Sequence, residues 1–346
     1  MIIMDNNSKK VYIIILNWNG WEDTIECLES IFRNSYPNYN VIVCDNASAD
    51  NSLGKIKQWA TGKIRANHSN NSQISICTTP PVSKPIQYAE YNRKQAEQGG
   101  HTEEQAPLIL IQNGDNLGFA GGNNVGIRYA LARNDFEYVW LLNNDTVINK
   151  NALVHLVQKM TNDSHIGICG STLLYYSMPD TVQALGGAKY NKLLGISRHV
   201  GVLTKYNDES LKILETKIKL DYIIGASMLV SKEFLLKIGL MCEDYFLYYE
   251  EIDWSIRMQK NYKLAYVRES IVFHKEGSSI GSNVDPKSKS MLSDYYSIRN
   301  RIIFTKKYYK WVLPFVYLGL LIVAMNRLKR RQWNRVTMLI RIIIDT

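Results

Sequence analysis

Short apolar runs alternate with amphipathic stretches over the first 150 residues. Four runs have the length and β-branched content of strands that are covered on both faces. They lie at 11–16, 40–45, 108–113 and 138–142. The stretches between them repeat apolar residues at helical spacing, at 21–34, about 52–60 and 121–133. This alternation predicts an α/β protein with a mostly parallel, Rossmann-like sheet flanked by helices.

Residues 61–106 interrupt this pattern. The segment is polar, contains Pro80, Pro81 and Pro85, and shows no sustained period. It is expected to form a long surface insertion that is partly disordered. Beyond it, 165–275 predicts short strands, including one over 223–230, and a helix that begins near Glu250.

The C-terminal segment has a different pattern. Residues 311–325 are apolar or small, include Pro314, and lie between basic and aromatic flanks. A membrane-spanning helix needs about 20 apolar residues, so this shorter run suits a helix at the headgroup region. Packing of the same helix on the main core is the alternative.

Charge and cysteine content limit the kinds of partner and the cellular compartment that the sequence suggests. The 346 residues carry a net charge of +9, and 326–335 holds five basic residues without an acid. An anionic membrane surface fits this cluster better than nucleic acid, because no nucleic-acid recognition motif accompanies it. The five cysteines form no CxxC pair, and the N-terminus lacks a signal peptide. These features predict a cytoplasmic protein that is peripheral on the inner face of the cell membrane.

Polar residues follow three of the predicted strands. They are Asn17 after the first, Asp45 and Asn46 after the second, and Asn144 and Asp145 after the run at 138–142. In open α/β sheets, ligands bind beyond the carboxyl ends of the strands. Three polar strand ends at one edge of the sheet therefore predict a binding site.

A glycine-rich turn at 116–126, "NLGFAGGNNVG", opens a predicted helix. Gly118, Gly121 and Gly122 let the backbone approach a ligand, and the helix N-terminus favours an anion. The spacing is GxxGG rather than GxGxxG, and the turn follows the third strand rather than the first. The turn therefore argues against a dinucleotide-dependent oxidoreductase.

Several motifs together resemble the family-two inverting glycosyltransferases of GT-A fold, and most closely their bacterial rhamnosyltransferase-like branch. The resemblance covers nearly the whole chain except 61–106. In chain order, its motifs are "IIILNWNGWEDTIECLESI", "VIVCDNASADNS", "NLGFAGGNNVGIRYA", "YVWLLNNDTVI", "FLYYEEIDWSIRMQKNYKLAYVRESIVFHKEGSS" and "YYSIRNRIIFTKKYY". It implies a nucleotide-sugar-binding half at 1–150, an acceptor-binding and catalytic half at 151–290, and a helical membrane-associating extension at 291–346.

The resemblance implies a nucleoside-diphosphate sugar as donor and Mn²⁺ or Mg²⁺ as cofactor. A divalent cation stabilises the departing diphosphate without proton transfer. The family's Asp-x-Asp-like element here reads Asn143-Asn144-Asp145, which leaves Asp145 as a metal ligand. His274 is the expected second ligand, and its imidazole shifts the preference towards Mn²⁺.

Inversion requires one base to accept the proton of the acceptor hydroxyl. The resemblance implies this role for Glu251, where the family usually has aspartate, and Asp253 is the alternative. Both acids otherwise suit the N-terminus of a helix without further function.

The remaining site residues are also implied by the resemblance. Expected donor-binding residues are Asn17, Asp45, Asn46, Ser48, Asn116, Gly118, Gly121, Gly122, Asn123 and Asn144. Expected acceptor-side residues are Gly225, Ala226 and Trp254, and Arg299 is expected to reach the diphosphate. Ser48 is alternatively a helix cap, and Trp254 alternatively a core residue.

The sequence thus predicts an inverting, metal-assisted glycosyltransferase that moves a sugar, with L-rhamnose as a candidate, to a lipid-linked or polysaccharide acceptor. Two alternatives remain. One is a non-catalytic, membrane-docked module that binds nucleotide sugars. The other is a sugar-phosphate nucleotidyltransferase, although "LNWNGWED" after the first strand lacks the basic phosphate loop that such an enzyme would need.

Overall fold

The structure is a computed structural model that describes residues 8–101, 105–207, 209, 211, 218–258, 261–275 and 290–346. The strands are β1 (Val11–Asn17), β2 (Tyr39–Asp45), β3 (Tyr88–Asn92), β4 (Leu108–Gln112), β5 (Tyr138–Asn143), β6 (Thr146–Ile148), β7 (Ile166–Tyr175), β8 (Met178–Leu185), β9 (Gly187–Asn191), β10 (Ile196–His199), β11 (Tyr222–Ile223), β12 (Ser227–Ser231) and β13 (Lys263–His274). The helices are α1 (Trp21–Ile31), α2 (Ser52–Ala60), α3 (Ser72–Thr78), α4 (Arg93–Glu97), α5 (Gly118–Arg133), α6 (Ala152–Asn162), α7 (Lys232–Ile238), α8 (Glu250–Met258), α9 (Met291–Tyr308), α10 (Leu313–Lys329) and α11 (Trp333–Asp345).

A ten-stranded sheet forms the centre of the molecule. Its order is β3-β4-β2-β1-β5-β12-β7-β13-β6, and β8 pairs with β7 outside this path. Strands β3, β4, β2, β1 and β5 are parallel to one another, whereas β12 is antiparallel to both of its neighbours. Helices flank both faces, because the parallel strands are apolar on both sides and need cover there. The predicted mostly parallel α/β architecture is confirmed.

The strand register places the polar strand ends together. Asn17 of β1 lies opposite Asp45 of β2, and Leu16 lies opposite Asn143 of β5. Since these strands are parallel, their carboxyl ends meet at one edge of the sheet. Asn144 and Asp145 follow directly in the turn between β5 and β6.

The segment 61–106 is more ordered than the sequence indicates. Its residues 88–92 form β3, an edge strand parallel to β4, and α3 and α4 lie on either side of it. Ala89 and Tyr91 point into the core while their neighbours are more exposed. Five residues are too short a run for this alternation to stand out from a polar background, so the sequence analysis did not predict this strand.

The predicted strand over 223–230 is broken in two. Tyr222 and Ile223 form β11, which pairs with β9 in a small three-stranded sheet with β10. Residues 227–231 form β12 in the large sheet. Gly225 and Ala226 lie in the turn between the two sheets, beside the carboxyl end of β5.

The C-terminal helices α9, α10 and α11 pack on one another through a small apolar cluster that includes Ile302, Leu320 and Leu339. Much of α10 remains outside this cluster. Lys310–Lys329 has the length and composition of a candidate membrane span, and only 22% of it is buried. Its large apolar residues with exposed side chains include Phe315, Leu318, Leu321, Ile322 and Met325.

Candidate active site

A cavity of about 790 Å³ lies at the carboxyl edge of the parallel strands. One wall comes from the ends of β1, β2 and β5 and from the start of α5. The remaining lining comes mainly from α8 and the segment before it, from the β9–β10 region and from the C-terminal helices. The cavity is large enough for a ligand of nucleotide-sugar size.

Asp145 and His274 meet at the floor of this cavity. His274 ends β13, which pairs antiparallel with β6 so that His274 lies opposite Thr146. This pairing brings the His274 Nε2 atom to 3.2 Å from the Asp145 Oδ1 atom. Both side chains are mostly buried, at 8% and 5% exposed. The predicted pair of ligating residues therefore lies in one place, although 129 positions separate them in the chain.

Hydrogen bonds orient the His274 ring. Its Nδ1 atom lies 2.9 Å from the Gln183 Oε1 atom, and the Asn143 amide lies 3.4 Å from its Nε2 atom. We assign the proton to Nδ1, which donates to Gln183, because this leaves the Nε2 lone pair facing Asp145. Such an outer hydrogen bond is the usual partner of a metal-binding imidazole.

The donor set fits a divalent cation with open positions. Two ligands at bond lengths of about 2.1 Å and a right angle are about 3.0 Å apart, close to the observed 3.2 Å. Within the described ranges, no group of three or more His, Cys, Asp or Glu side chains could hold a metal ion. A cation here would therefore take its remaining ligands from water and from a ligand's phosphate oxygens.

Glu250 and Glu251 begin α8, and both line the cavity. Phe246, Tyr248 and Tyr249 before the helix have positive φ angles of 63°, 67° and 78°. Such backbone is unfavourable for large side chains and often occurs at functional sites. The Gly225 N–H donates to the Glu251 Oε1 atom at 3.2 Å and so orients this carboxylate.

Both glutamates hold their protons more tightly than exposed carboxyls. Burial raises the pKa of Glu251, and the Gly225 hydrogen bond opposes part of this effect. Burial and the neighbouring Glu251 raise the pKa of Glu250 well above its usual range. The Glu250 Oε2 atom has no hydrogen-bond partner among the described residues. We therefore assign the first negative charge of this pair to Glu251.

Asp253 and Trp254 lie outside the cavity, contrary to the sequence-based expectation. Asp253 is fully buried and accepts hydrogen bonds from Lys307, Tyr308, Arg257 and Tyr245. These donors, above all Lys307, hold its pKa below the usual range against the effect of burial. Trp254 packs in the core, and its indole donates to the Gly239 carbonyl. The geometry makes Asp253 a structural carboxylate and Trp254 a core residue.

The expected donor-binding residues divide into two groups. Those that line the cavity are Asn46, Asn116, Gly118 and Asn144. Those that do not are Asn17, Asp45, Ser48, Gly121, Gly122 and Asn123. The second group supports the first: Asp45 accepts hydrogen bonds from Asn17, Ser48 and Gln112 at the end of β2.

Gly118 is the one glycine of this turn whose backbone conformation clearly excludes a side chain. Its φ is +69°, and a Cβ atom would lie 2.2 Å from the Phe246 carbonyl oxygen. The next residue, Phe119, donates its N–H to the same carbonyl at 2.6 Å. The turn is thus joined to the segment that leads into Glu250 and Glu251. On the acceptor side, Gly225 and Ala226 line the cavity as expected.

Arg299 does not face the cavity, but Arg301 does. The Arg299 guanidinium donates to the Asp244 carbonyl and to Asn300. Arg301, two positions later on α9, lines the cavity and is 8% exposed. Gln183, His199 and Tyr222 also line it, and sequence reasoning did not identify them. In the sequence, each is a single polar or aromatic residue in a segment of mixed pattern, and such a residue does not by itself indicate a site.

The chain matches the family model of glycosyl transferase family 2 over residues 12–76 and 94–238. Among curated proteins, it is similar to the low-salt glycan biosynthesis hexosyltransferase Agl10 of Haloferax volcanii. The two are 30% identical over 158 residues, which is 44% of this chain and 47% of Agl10. The chain thus spans about half the length of this relative.

Two solved structures share the fold. One is the mannosyltransferase PcManGT of Pyrobaculum calidifontis in complex with GDP-Man and Mn²⁺. It gives a TM-score of 0.51 at 13% identity, and the match covers 98% of this chain and 86% of the PcManGT chain. The other is GalNAc-T7 with UDP, GalNAc and Mn²⁺. It gives a TM-score of 0.52 at 16% identity, and the match covers 86% of this chain and 51% of the GalNAc-T7 chain. The family model covers more than half of the sequence, and these folds agree with it. The chain belongs to glycosyl transferase family 2.

Proposed function

We propose that this protein is an inverting, metal-assisted glycosyltransferase that transfers a hexose from a nucleoside-diphosphate donor to a hydroxyl of a lipid-linked acceptor. The observation that carries the proposal is the shared cavity. Asp145, which follows β5, and Glu251, from α8, line the same cavity. The part of the lining around Asp145 thus suits a cation and a diphosphate, and the part around Glu251 suits a base.

On the donor side, Asp145 and His274 would hold a divalent cation, with Mn²⁺ favoured by the imidazole. When bound, such a cation supplies charge stabilisation to the leaving diphosphate. Two relatives of this fold were solved with a nucleotide or nucleotide sugar and Mn²⁺. Asn116 and Asn144 line this part of the cavity as polar residues. The amide of Asn144 donates to Gly20 and Thr24, which fixes the side chain in place. dTDP-L-rhamnose is the first donor to test because of the rhamnosyltransferase-like motifs, and UDP-hexoses are next.

On the acceptor side, Glu251 would accept the proton of the attacking hydroxyl. Its raised pKa makes it a stronger base than an exposed carboxylate, and neutral Glu250 beside it does not compete for the proton. The Gly225 N–H fixes one carboxylate oxygen and leaves the other for the acceptor. Inversion needs one base that can take the proton of the hydroxyl as the hydroxyl attacks from the far side of the sugar, and Glu251 is proposed for this role.

We also propose that the protein attaches peripherally to the cytoplasmic face of the membrane through α10 and α11. The exposed apolar side of α10 is followed by three exposed basic residues, Lys329, Arg330 and Arg331. Apolar area next to positive charge favours an anionic lipid surface. Leu320 and Val323 of the same helix line the cavity. An acceptor held in this part of the cavity would therefore lie close to the membrane surface.

The direct test is a thermal-shift screen of nucleoside diphosphates and their sugars with and without MnCl₂, followed by donor hydrolysis. We expect one nucleobase to stabilise the protein in a Mn²⁺-dependent way, and its sugar donor to be cleaved slowly by water. Binding without turnover of any donor would favour a non-catalytic module. Release of pyrophosphate from a nucleoside triphosphate and a sugar phosphate would favour a nucleotidyltransferase. Either result would refute the proposal.

A further inference from the structure

Arg301 is a buried cation without a counter-ion. Its side chain lies on α9 at 8% exposed and faces the cavity. Among the described residues, its guanidinium takes part in no hydrogen bond or ion pair, and its buried Nε atom has no partner. A buried charge without a partner is destabilising by several kcal/mol in general, so proteins rarely keep one that has no ligand.

Two glycines make room for this guanidinium. A Cβ atom at Gly195, in the β9–β10 turn, would lie 2.8 Å from the Arg301 Cγ atom. A Cβ atom at Gly319, on α10, would lie 2.8 Å from an Arg301 terminal nitrogen. Tyr249 closes the same region, since its hydroxyl donates to the Gly195 carbonyl at 2.6 Å. The side chain is therefore held in a fitted space rather than left free on a surface.

The charges around Arg301 do not neutralise it. Asp294, two turns earlier on the same face of α9, also lines the cavity, but Arg327 binds both of its oxygens at 2.7 and 2.8 Å. Arg335 binds one of the same oxygens at 2.7 Å. This part of the lining thus carries two guanidinium groups, those of Arg301 and Arg327, and one carboxylate. The other lining residues of α9 and α10 are apolar except Ser297, and they are Leu292, Ser297, Ile298, Leu320 and Val323.

We infer that Arg301 binds the phosphate of a lipid-linked acceptor, whose hydrocarbon chain leaves the cavity along α10. This inference rests on the proposed function and specifies its acceptor. An anion matches the uncompensated guanidinium, and the apolar lining of α10 continues outside as exposed Leu321 and Ile322. The donor diphosphate is assigned to other residues of the lining, Asp145 and His274. Arg301 also lies outside the segments that match the family model, as expected for a feature of one acceptor class.

The test measures binding of undecaprenyl phosphate in detergent micelles, with undecaprenol in the same micelles as the probe that lacks the phosphate. The wild type should bind the phosphate form more tightly than the alcohol. Hydrogen bonds to a charged group contribute about 1.5–3 kcal/mol, so Arg301→Gln should weaken binding of the phosphate form roughly 10- to 100-fold. Arg301→Lys should retain part of the affinity, because it keeps the charge. Arg299→Gln removes the same charge from the same helix outside the cavity and should change nothing.

Two further readouts separate this role from folding and from donor binding. Arg301→Gln removes an unpartnered buried charge, so its unfolding temperature should equal or exceed that of the wild type. Its affinity for the nucleoside diphosphate in MnCl₂ should be unchanged. The inference would be overturned if Arg301→Gln had the same ratio of affinities for undecaprenyl phosphate and undecaprenol as the wild type. It would also be overturned if Arg301→Gln lost affinity only for the nucleotide. Because lipid binding is measured without transfer, failure of the proposed reaction would not produce either result.

Discussion

Replacement of Glu251 by Gln tests the catalytic proposal most directly. The two side chains have the same shape, and the Gln Oε1 atom can still accept the Gly225 N–H that now lies 3.2 Å from Glu251. The change also removes the cost of burying the Glu251 charge, so the fold should not lose stability. What disappears is the ability to accept a proton. A positioned general base contributes roughly 10²- to 10⁴-fold in rate, or about 3–5 kcal/mol of the barrier.

The assay measures release of nucleoside diphosphate from the donor identified by the thermal-shift screen, at several pH values in MnCl₂. The wild-type rate should fall as the pH drops through the pKa of Glu251, which lies above that of an exposed glutamate. Glu251→Gln should be slower by the stated factor and lack this acid limb, while its nucleotide affinity stays constant. A variant within threefold of the wild-type rate would refute the role of Glu251.

Asp253→Asn is the matched control two positions along the helix. It should lose stability, roughly 3 kcal/mol, because the Arg257 and Lys307 cations are then left without their buried counter-ion. Its rate per folded molecule should change little. The opposite pattern, a stable but inactive Asp253→Asn, would move the base to Asp253.

Three other predictions concern the metal, the buried acid and the membrane. Asp145→Ala should abolish the Mn²⁺-dependent part of nucleotide binding, measured by calorimetry; equal affinity with and without MnCl₂ in the wild type would contradict it. Glu250 has a folded-state pKa above its unfolded value of about 4.5, so the folded protein binds the extra proton and loses stability as the pH rises through this window. In chemical denaturation, the free energy of unfolding of Glu250→Gln should exceed that of the wild type by more at pH 8 than at pH 4. The same difference at both pH values would show that the pKa of Glu250 is not raised in the fold. Replacing Leu318, Leu321 and Ile322 by Ser should reduce co-sedimentation with anionic phospholipid vesicles, and undiminished sedimentation would exclude this surface.

The sequence predicted the helices and strands around the site better than the direction of individual side chains. The hydrophobic pattern placed β1, β2, β4 and β5 correctly, because long apolar strands give a strong signal. The pattern could not show which side of a helix with several polar residues would face the cavity. Glu251 and Asp253 are two positions apart, or about 200° around the helix axis, so only one of them can face the cavity. Arg299 and Arg301 differ in the same way, and the expectation fell on the wrong member of that pair.

Long-range pairing was also outside the reach of the pattern. Only the resemblance to known glycosyltransferases placed His274 near Asp145, because the register of β13 against β6 depends on strands far apart in the chain. The edge strand at 88–92 was missed for the opposite reason, since its signal is local but only five residues long.

The C-terminal helices pack directly on the elements that form the cavity. Lys307 and Tyr308 of α9 both hold Asp253 of α8, at 2.7 and 2.6 Å, and α8 carries Glu251. Arg301 of the same helix lines the cavity, and α10 and α11 pack on it. Deleting 308–346 would therefore remove an Asp253 donor and expose the apolar face of α9 along with any membrane contact. Loss of activity in such a truncation would not identify a membrane anchor, whereas the outer-face Ser substitutions leave these contacts intact.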